Sequence, residues 1–450
     1  MKISRYILNT DDMEDYGFPN KLIVYSTRTG NSVLLDNEVF AKVKKESFDQ
    51  LDQPILDLLQ KNLIIVPESE DEYATIMTEN RDSRESTDIL SFTIQPSADC
   101  QFGCHYCGQT HKKDYATDHI IDLYYKRIKH LYEQDKGRYK GISITWYGGE
   151  PLMSLSTIKK TSDKLMEFAF MNSLTYGASM ITNGLSLKES VFEELVHKYK
   201  VKDFQITLDG TADSHDQRRV IKGTRGATFD IIFNNIKKVA STETYNKGEA
   251  RINIRINIDK TNHQYVDPLL DMIIENDLNR KVSVRFAPIV DWGGNDAGKD
   301  GLSKEDFAKK EIDWLLKCYD NGIDSTGLLP KRTPYACMVE KNDSEVYDAY
   351  GNIYSCWEFP YTDVYKGGEH LIGNLKSDYS TFNKDATLRN WDKTIDSGTT
   401  WCKKCVLLPV CAGGCPKSWY EGEPACPTFK INYKEKLMFD YYVRANKVLQ

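Results

Sequence analysis

The sequence predicts an α/β fold: an incomplete barrel of six parallel strands, preceded by a small winged-helix-like domain and followed by a cysteine-rich domain. Three observations predict it. From residue 89, short apolar runs alternate with amphipathic helical stretches. The alternation stops near residue 302, after six strands. No cysteine precedes Cys100, three cluster there, and seven of the eleven fall between Cys337 and Cys426.

Residues 1–66 read as a small independent unit. KLIVYS (21–26) and SVLLD (32–36) flank the turn-forming RTGN (28–31), the pattern of a hairpin. EVFAKVKKE and QPILDLLQKN carry helical spacing, and LIIVP adds a short strand. Residues 67–88, polar and charged, are expected to form a linker. SFTIQP, GISITWY, GASMIT, DFQITLD, ARINIRINID and VSVRFAPI are then the six strands, separated by stretches such as HIIDLYYKRIKHLYEQ (119–134), IKKTSDKLMEFAF (158–170) and ESVFEELVHKYK (189–200). Such alternation implies parallel strands joined by right-handed crossovers. Six are too few for a closed eight-stranded barrel. The glycine-rich VDWGGNDAGKDG (290–301) ends the alternation, so the barrel is assigned to 89–302. Residues 303–450 show little periodicity beyond a helix near 304–318, and their order is expected to come from cysteines.

The 450 residues include 40% hydrophobic and 28% charged side chains, enough to bury a core. A net charge of -7 offers no general argument for nucleic acid as a partner. The N-terminus meets acidic residues too early for a secretory signal, and no run approaches the ~18 apolar residues of a membrane span. Eleven cysteines in such a chain are expected as reduced thiols in the cytoplasm rather than as disulfides, and their clustering points to metal.

CQFGCHYC (100–107) begins just after the first strand, at the end where α/β folds place their chemistry. Three cysteines spaced by three and then two leave a four-ligand site one short. His105 lies between two of them, a poor position from which to complete a zinc site. Unligated core cysteines are the other bland reading.

The octapeptide matches the CxxxCxΦC signature and is identified with the radical S-adenosylmethionine (SAM) superfamily, with Tyr106 as the aromatic residue. The resemblance implies that Cys100, Cys104 and Cys107 hold a 4Fe–4S cluster whose fourth iron is chelated by SAM. One electron would cleave SAM to methionine and a 5′-deoxyadenosyl radical, with an electron donor such as flavodoxin or ferredoxin. WYGGEP (146–151) resembles the family's GGE motif: Gly148 and Gly149 would allow close backbone approach, and Glu150 would accept from the SAM ammonium. The alternative for a Gly-Gly pair is simply a turn. ITLDGTADSHDQRR (206–219) resembles the SLDG…HDxxR stretch of the SPASM branch, which implies a ribose contact for Thr207 and a carboxylate contact for Arg219. A surface salt bridge is the alternative for Arg219. Val290 occupies the position of an apolar adenine contact, and ITNG (181–184) is expected as a strand-end turn near the same pocket.

The later cysteines match the SPASM signature. Cys337 is followed after thirteen residues by Gly351 and after four more by Cys356; CKKCVLLPVCAGGC then has gaps of two, five and three, and Cys426 follows. The resemblance implies two auxiliary 4Fe–4S clusters, three clusters in all. Cys402, Cys405, Cys411 and Cys426 would hold one, and Cys337, Cys356 and Cys415 the other. Fully ligated members have an eighth cysteine, absent from CMVEKNDSE here, so an open iron, a water, Glu340 or another side chain would take that place. Zinc is the alternative for CKKC…CAGGC. Cys318 lies on a helical stretch, where a core role competes with ligation.

Most SPASM enzymes modify peptides or proteins, so the resemblance implies a precursor peptide with a leader as partner, and neither nucleic acid nor membrane. The reading is a peptide maturase forming a thioether or carbon–carbon crosslink. The alternatives are an anaerobic sulfatase (formylglycine) maturase and a non-catalytic iron–sulfur electron-transfer protein. In sulfatase maturases an aspartate base follows the GX4C cysteine; here Trp357 does, and Glu358 is one residue further, which on a strand would face the other way. That leaves Glu358 as the one candidate base and weighs against sulfatase maturation. The N-terminal unit is expected either to capture the leader as an added strand along the 21–36 hairpin or merely to cap the barrel.

Overall fold

Six parallel strands form the frame: β1 (Ile89–Ile94), β2 (Gly141–Trp146), β3 (Thr175–Thr182), β4 (Val201–Thr207), β5 (Arg251–Ile258) and β6 (Val282–Pro288). They lie in chain order across one sheet, as right-handed strand–helix crossovers dictate. The sheet then continues past β1 through β7 (Ser344–Tyr347), parallel to β1, and through two short antiparallel strands, 352–354 and 371–374. The computed structural model describes residues 1–14, 17–325 and 327–448. It divides into two compact units: Met1–Ser86 with Gly327–Glu340 and Asn390–Gln450, and Thr87–Thr326 with Lys341–Arg389.

In the second unit, helices α1 (Asp118–Gln134), α2 (Leu155–Met171), α3 (Glu189–His197), α4 (Phe229–Val239), α5 (Val266–Glu275) and α6 (Lys304–Asp320) follow the six strands. Thr117 caps α1 by accepting from the Ile120 N–H, and Ser303 caps α6 by accepting from Asp306. Strand periodicity decides which side chains meet the helices. On β5, Ile252, Ile254, Ile256 and Ile258 are buried, while Asn253, Arg255 and Asn257 take the opposite face. On β6, Phe286 packs on Trp314 of α6 at 5.3 Å. Each such buried side chain contributes roughly 1.5–3 kcal/mol. The mixed α/β architecture with its large parallel sheet is the one expected. α4 and α5, not singled out in the sequence, complete the alternation.

The division at residue 303 is not the one the fold makes. α6 stays with the barrel through Trp314, and β7 joins the sheet through its ladder with β1, so only 327–340 and 390–450 leave it. Arg127 of α1 grips Glu345 of β7 with two hydrogen bonds, 3.0 and 2.6 Å, both side chains buried.

In the first unit, residues 21–26 and 31–36 form the expected hairpin, extended by residues 7–9. Leu22 and Val24 pack with Phe40, Val43 and Leu59. Ile23 and Tyr25 point the other way, into a cluster with Leu407, Val410, Phe429 and Leu437. A continuous apolar run such as LIVY is what a strand buried on both faces requires. Residues 1–66 therefore share their core with the C-terminal segment and do not stand as an independent unit. The stretch expected as a linker contains a helix, Glu72–Glu85, capped by Asp71, with Ile76 buried beside Tyr6 and Trp391. A helical segment kinked at Asn432, Phe429–Val448, also went unread in the sequence. Among the described residues no helix is long and apolar enough to cross a membrane.

Candidate active site

At the C-terminal ends of the strands in the second unit lies a cavity of about 310 Å³. Cys100, Cys104 and Cys107 line it together with Tyr106, Gly149, Thr207, Arg219 and Glu358. Gly148, Glu150 and Val290 do not.

The cysteine loop is held from behind by the GGE turn. Gly149 has φ +52°, and a Cβ there would lie 2.3 Å from the Asp99 carbonyl oxygen; Gly148 has φ +78°, and its Cβ would meet the Gln95 side chain at 2.1 Å. Only glycine allows both the left-handed backbone and this approach. The Glu150 N–H then donates to the Asp99 carbonyl at 2.8 Å, one residue before Cys100. The Glu150 carboxylate turns inward, 1% exposed, and accepts from the Leu152 N–H (2.9 Å), the Thr182 hydroxyl (2.7 Å) and the Asn183 N–H (2.7 Å). Burial pushes its pKa up, against those hydrogen bonds. Its partners are therefore the ITNG segment and its own helical turn, where the sequence suggested a ligand contact. ITNG is the strand-end turn expected, but it serves Glu150, and Asn183 also donates toward Cys100 Sγ at 4.0 Å.

All three thiols are shifted upward chiefly by burial, Cys100 to about 12 and Cys104 to about 11, with Arg219 opposing the shift at Cys104. A desolvated thiol becomes a thiolate when a metal binds it. The surroundings suit that form: the Phe102 N–H donates to Cys100 Sγ at 3.4 Å, and the Arg219 Nε is buried without a hydrogen-bond partner. Cys107 Sγ lies 3.9 Å from His111 Nε2, whose pKa burial and Lys222 lower to about 4. The donor set thus fits a cluster with an external anionic or polar ligand. Among the described residues no three His, Cys, Asp or Glu groups converge on the position of one metal ion; that bears on single-ion sites, not on a cluster.

The two arginines of QRR part ways. Arg219 reaches the cavity and donates to the Tyr106 hydroxyl at 2.5 Å; that hydroxyl donates to Asp209 at 2.5 Å and accepts from Asn257 at 3.1 Å. Arg218 pairs with buried Asp259 at 2.8 Å, and His105 approaches the same carboxylate at 3.5 Å. Burial would raise the Asp259 pKa, but hydrogen bonds from His105 and Thr261 and the Arg218 charge hold it well below the usual carboxylate range. Asp209 and Asn257 escaped the sequence reading, although Asp209 stands inside ITLDG; only the fold brings it to Tyr106.

Two expectations need correcting. Val290 lies past the end of β6, is 44% exposed, and leaves the apolar lining to Pro288 and Ile289. Trp357 and Glu358 both line the cavity, because residues 355–360 form turns and bends in place of a strand, so the alternation argument against Glu358 fails. Burial raises the pKa of both Cys107 and Tyr147, and the nearby Glu358 charge adds to each shift.

In the first unit, Cys402, Cys405, Cys411 and Cys426 surround a second, small cavity flanked by Trp401 and Trp419. Burial, and then the other three sulfurs, push the Cys411 thiol up to about 12. Cys337 is likewise raised to about 12 by burial, with Cys415 close enough to add to it. Cys356 belongs to the other unit. Glu340 is committed: one oxygen receives Arg84 at 2.9 Å and the other the Ala336 N–H at 2.6 Å. Cys318 is fully buried on α6, a core residue.

Residues 94–249 match the family model described as Radical SAM superfamily. The cysteine-type anaerobic sulfatase-maturating enzyme of Clostridium novyi (strain NT) is 23% identical over 390 residues, 79% of this chain and 97% of that protein. The serine-type enzyme of Bacteroides thetaiotaomicron is 23% identical over 402 residues, 78% and 88% of the two chains. The structure of native anSMEcpe with bound AdoMet shares the fold, with a TM-score of 0.59 at 20% identity over 80% of this chain and 100% of that one. This chain therefore carries a radical SAM domain and is an enzyme homologous to the anaerobic sulfatase-maturating enzymes.

Proposed function

We propose that the protein is a radical SAM maturase that forms a thioether or carbon–carbon crosslink in a ribosomally made precursor peptide. The carrying observation is the single cavity in which the three thiols of CQFGCHYC, Tyr106, Thr207 and Arg219 meet. Cys100, Cys104 and Cys107 would hold the cluster, which when bound supplies the electron for reductive SAM cleavage and hydrogen abstraction. Arg219, fixed by Tyr106 and Asp209, presents a buried guanidinium suited to a carboxylate. Gly149 brings the GGE turn against the cysteine loop, and Trp357 and Ile289 add apolar surface to the cavity wall.

Cys402, Cys405, Cys411 and Cys426 would hold one auxiliary cluster, and Cys337 and Cys415 would contribute to another, for which Glu340 is not free as a ligand. A peptide substrate is in keeping with anSMEcpe, whose structure is also known with a Cp18Cys peptide. The 31–36 strand, at one edge of the N-terminal sheet, offers backbone groups to which a leader could add. Flavodoxin or ferredoxin would deliver the electron.

Formylglycine formation on a sulfatase is the second reading. Glu358 in the cavity favours it, as the group able to take a proton from a substrate thiol or hydroxyl. The test is anaerobic reconstitution with dithionite, SAM and candidate peptides. Formation of 5′-deoxyadenosine together with a hydrogen-depleted, aldehyde-free peptide supports crosslinking. A hydrazine-reactive aldehyde that disappears in E358Q supports the second reading. A full iron complement with no 5′-deoxyadenosine would leave only a non-catalytic electron-transfer role.

A further inference from the structure

The barrel's inner face carries a pair of cations that the site's assigned roles leave unused. Arg255 on β5 and Arg285 on β6 are direct partners in the parallel ladder, and adjacent strands are ~4.8 Å apart. Phe286, the next residue on β6, packs on Trp314 of α6, so Arg285 takes the opposite face of the sheet. Arg255 takes the same face and lines the cavity, one step below Asn257. The surface around them is polar and mostly self-satisfied: Asn253 donates to Ser283 at 2.9 Å, and Thr145 bonds Ser179 at 3.1 Å. The Arg255 Nε donates to the Asn257 side-chain oxygen at 2.8 Å. Among the described residues neither arginine has a carboxylate within ion-pair distance, whereas Arg127, Arg138 and Arg218 of the same unit do.

Two guanidiniums side by side without a counter-charge repel each other, and a bound anion between them removes that cost. Arg285 is exposed and lies outside the lining of the cavity that Arg255 joins; partial desolvation, and then the Arg255 charge, lower its pKa.

We infer that Arg255 and Arg285 form a carboxylate-binding pair that receives an acidic side chain of the peptide substrate. The inference rests on the maturase reading, since it is a peptide that the cavity would take. The carboxylate could equally come from the peptide's C-terminus or from SAM, and the experiment separates these sources. Calorimetry on the reconstituted enzyme would compare three probes: an acetylated, amidated glycine–alanine peptide with one glutamate, its glutamine twin, and the glutamine twin with a free C-terminus. SAM binding would be measured separately on the same preparation.

The expected result is that the glutamate peptide binds about tenfold more tightly than its twin, an advantage of about 1.4 kcal/mol. That advantage should be lost in R255Q and in R285Q, fall as salt rises, and survive in part in R285K. Arg285 is exposed, so R285Q tests the pair even if R255Q fails to fold. No preference for glutamate in the wild-type enzyme, or a preference surviving both substitutions, overturns the inference. So does an advantage found only for the free C-terminus, or a loss confined to SAM affinity. A wild-type enzyme that prefers glutamate but neither binds nor cleaves SAM would overturn the maturase reading and leave the anion site standing.

Discussion

Replacing Glu150 with glutamine separates a framework role from a ligand role. The carboxylate takes three hydrogen bonds, two on Oε1 from Leu152 and Thr182 and one on Oε2 from the Asn183 N–H. A glutamine keeps one acceptor oxygen and sets its NH2 against the remaining donors. If the oxygen stays with Leu152 and Thr182, the Asn183 N–H is stranded at a site 1% exposed. A stranded buried donor costs about 1–3 kcal/mol, and weakening of the two charge-assisted bonds adds about 1 kcal/mol. Relief of the carboxylate's own burial, visible in its raised pKa, returns part of this. The net expectation is about 2–3 kcal/mol lost from the larger unit. At ~2–4 °C per kcal/mol for larger domains, the melting temperature should fall by about 4–12 °C. The assay is thermal unfolding of the iron-free, SAM-free protein, followed by SAM titration of the reconstituted variant. E150Q melting with the wild type while losing SAM affinity would refute the framework argument and return Glu150 to the cavity.

Substituting Cys100, Cys104 and Cys107 together with alanine should abolish SAM cleavage while leaving roughly two clusters' worth of iron, measured colorimetrically; loss of all iron would show the sites to be coupled. R127M should destabilise by about 3–5 kcal/mol because it strands the Glu345 carboxylate, and the double variant R127M/E345L should recover much of that in a denaturant titration. Asp348 is buried and its pKa is raised to about 6, chiefly by burial. Its folded pKa thus exceeds its unfolded one, so the contribution of Asp348 to stability should be most favourable below about pH 4, decline by roughly 3 kcal/mol toward pH 6 and then level off. D348N should flatten that slope in melting curves collected across the range.

Much of the catalytic frame was legible because it is written locally. The boundaries of the six strands follow from runs of β-branched residues, and each observed strand lies within two residues of its apolar run. The cysteine spacing places three thiols in one short loop, and that loop opens on the cavity. KLIVYS was legible as one strand of a hairpin, but nothing local named the partner of its second face, which comes from residues 407–437.

What the chain determined by itself is which chemistry it can host: thiols at fixed intervals, glycines at the strand ends and an arginine downstream. These depend on neighbours in sequence, where a few residues set backbone and spacing. Tertiary structure alone decided which polar groups remain available. Glu150 was consumed by β3's end, Glu340 by Arg84, and Arg218 by Asp259, whereas Glu358 gained the cavity because its segment turns. The physical reason is that buried polar groups must be satisfied, and the partners that satisfy them are chosen by packing between segments tens to hundreds of residues apart.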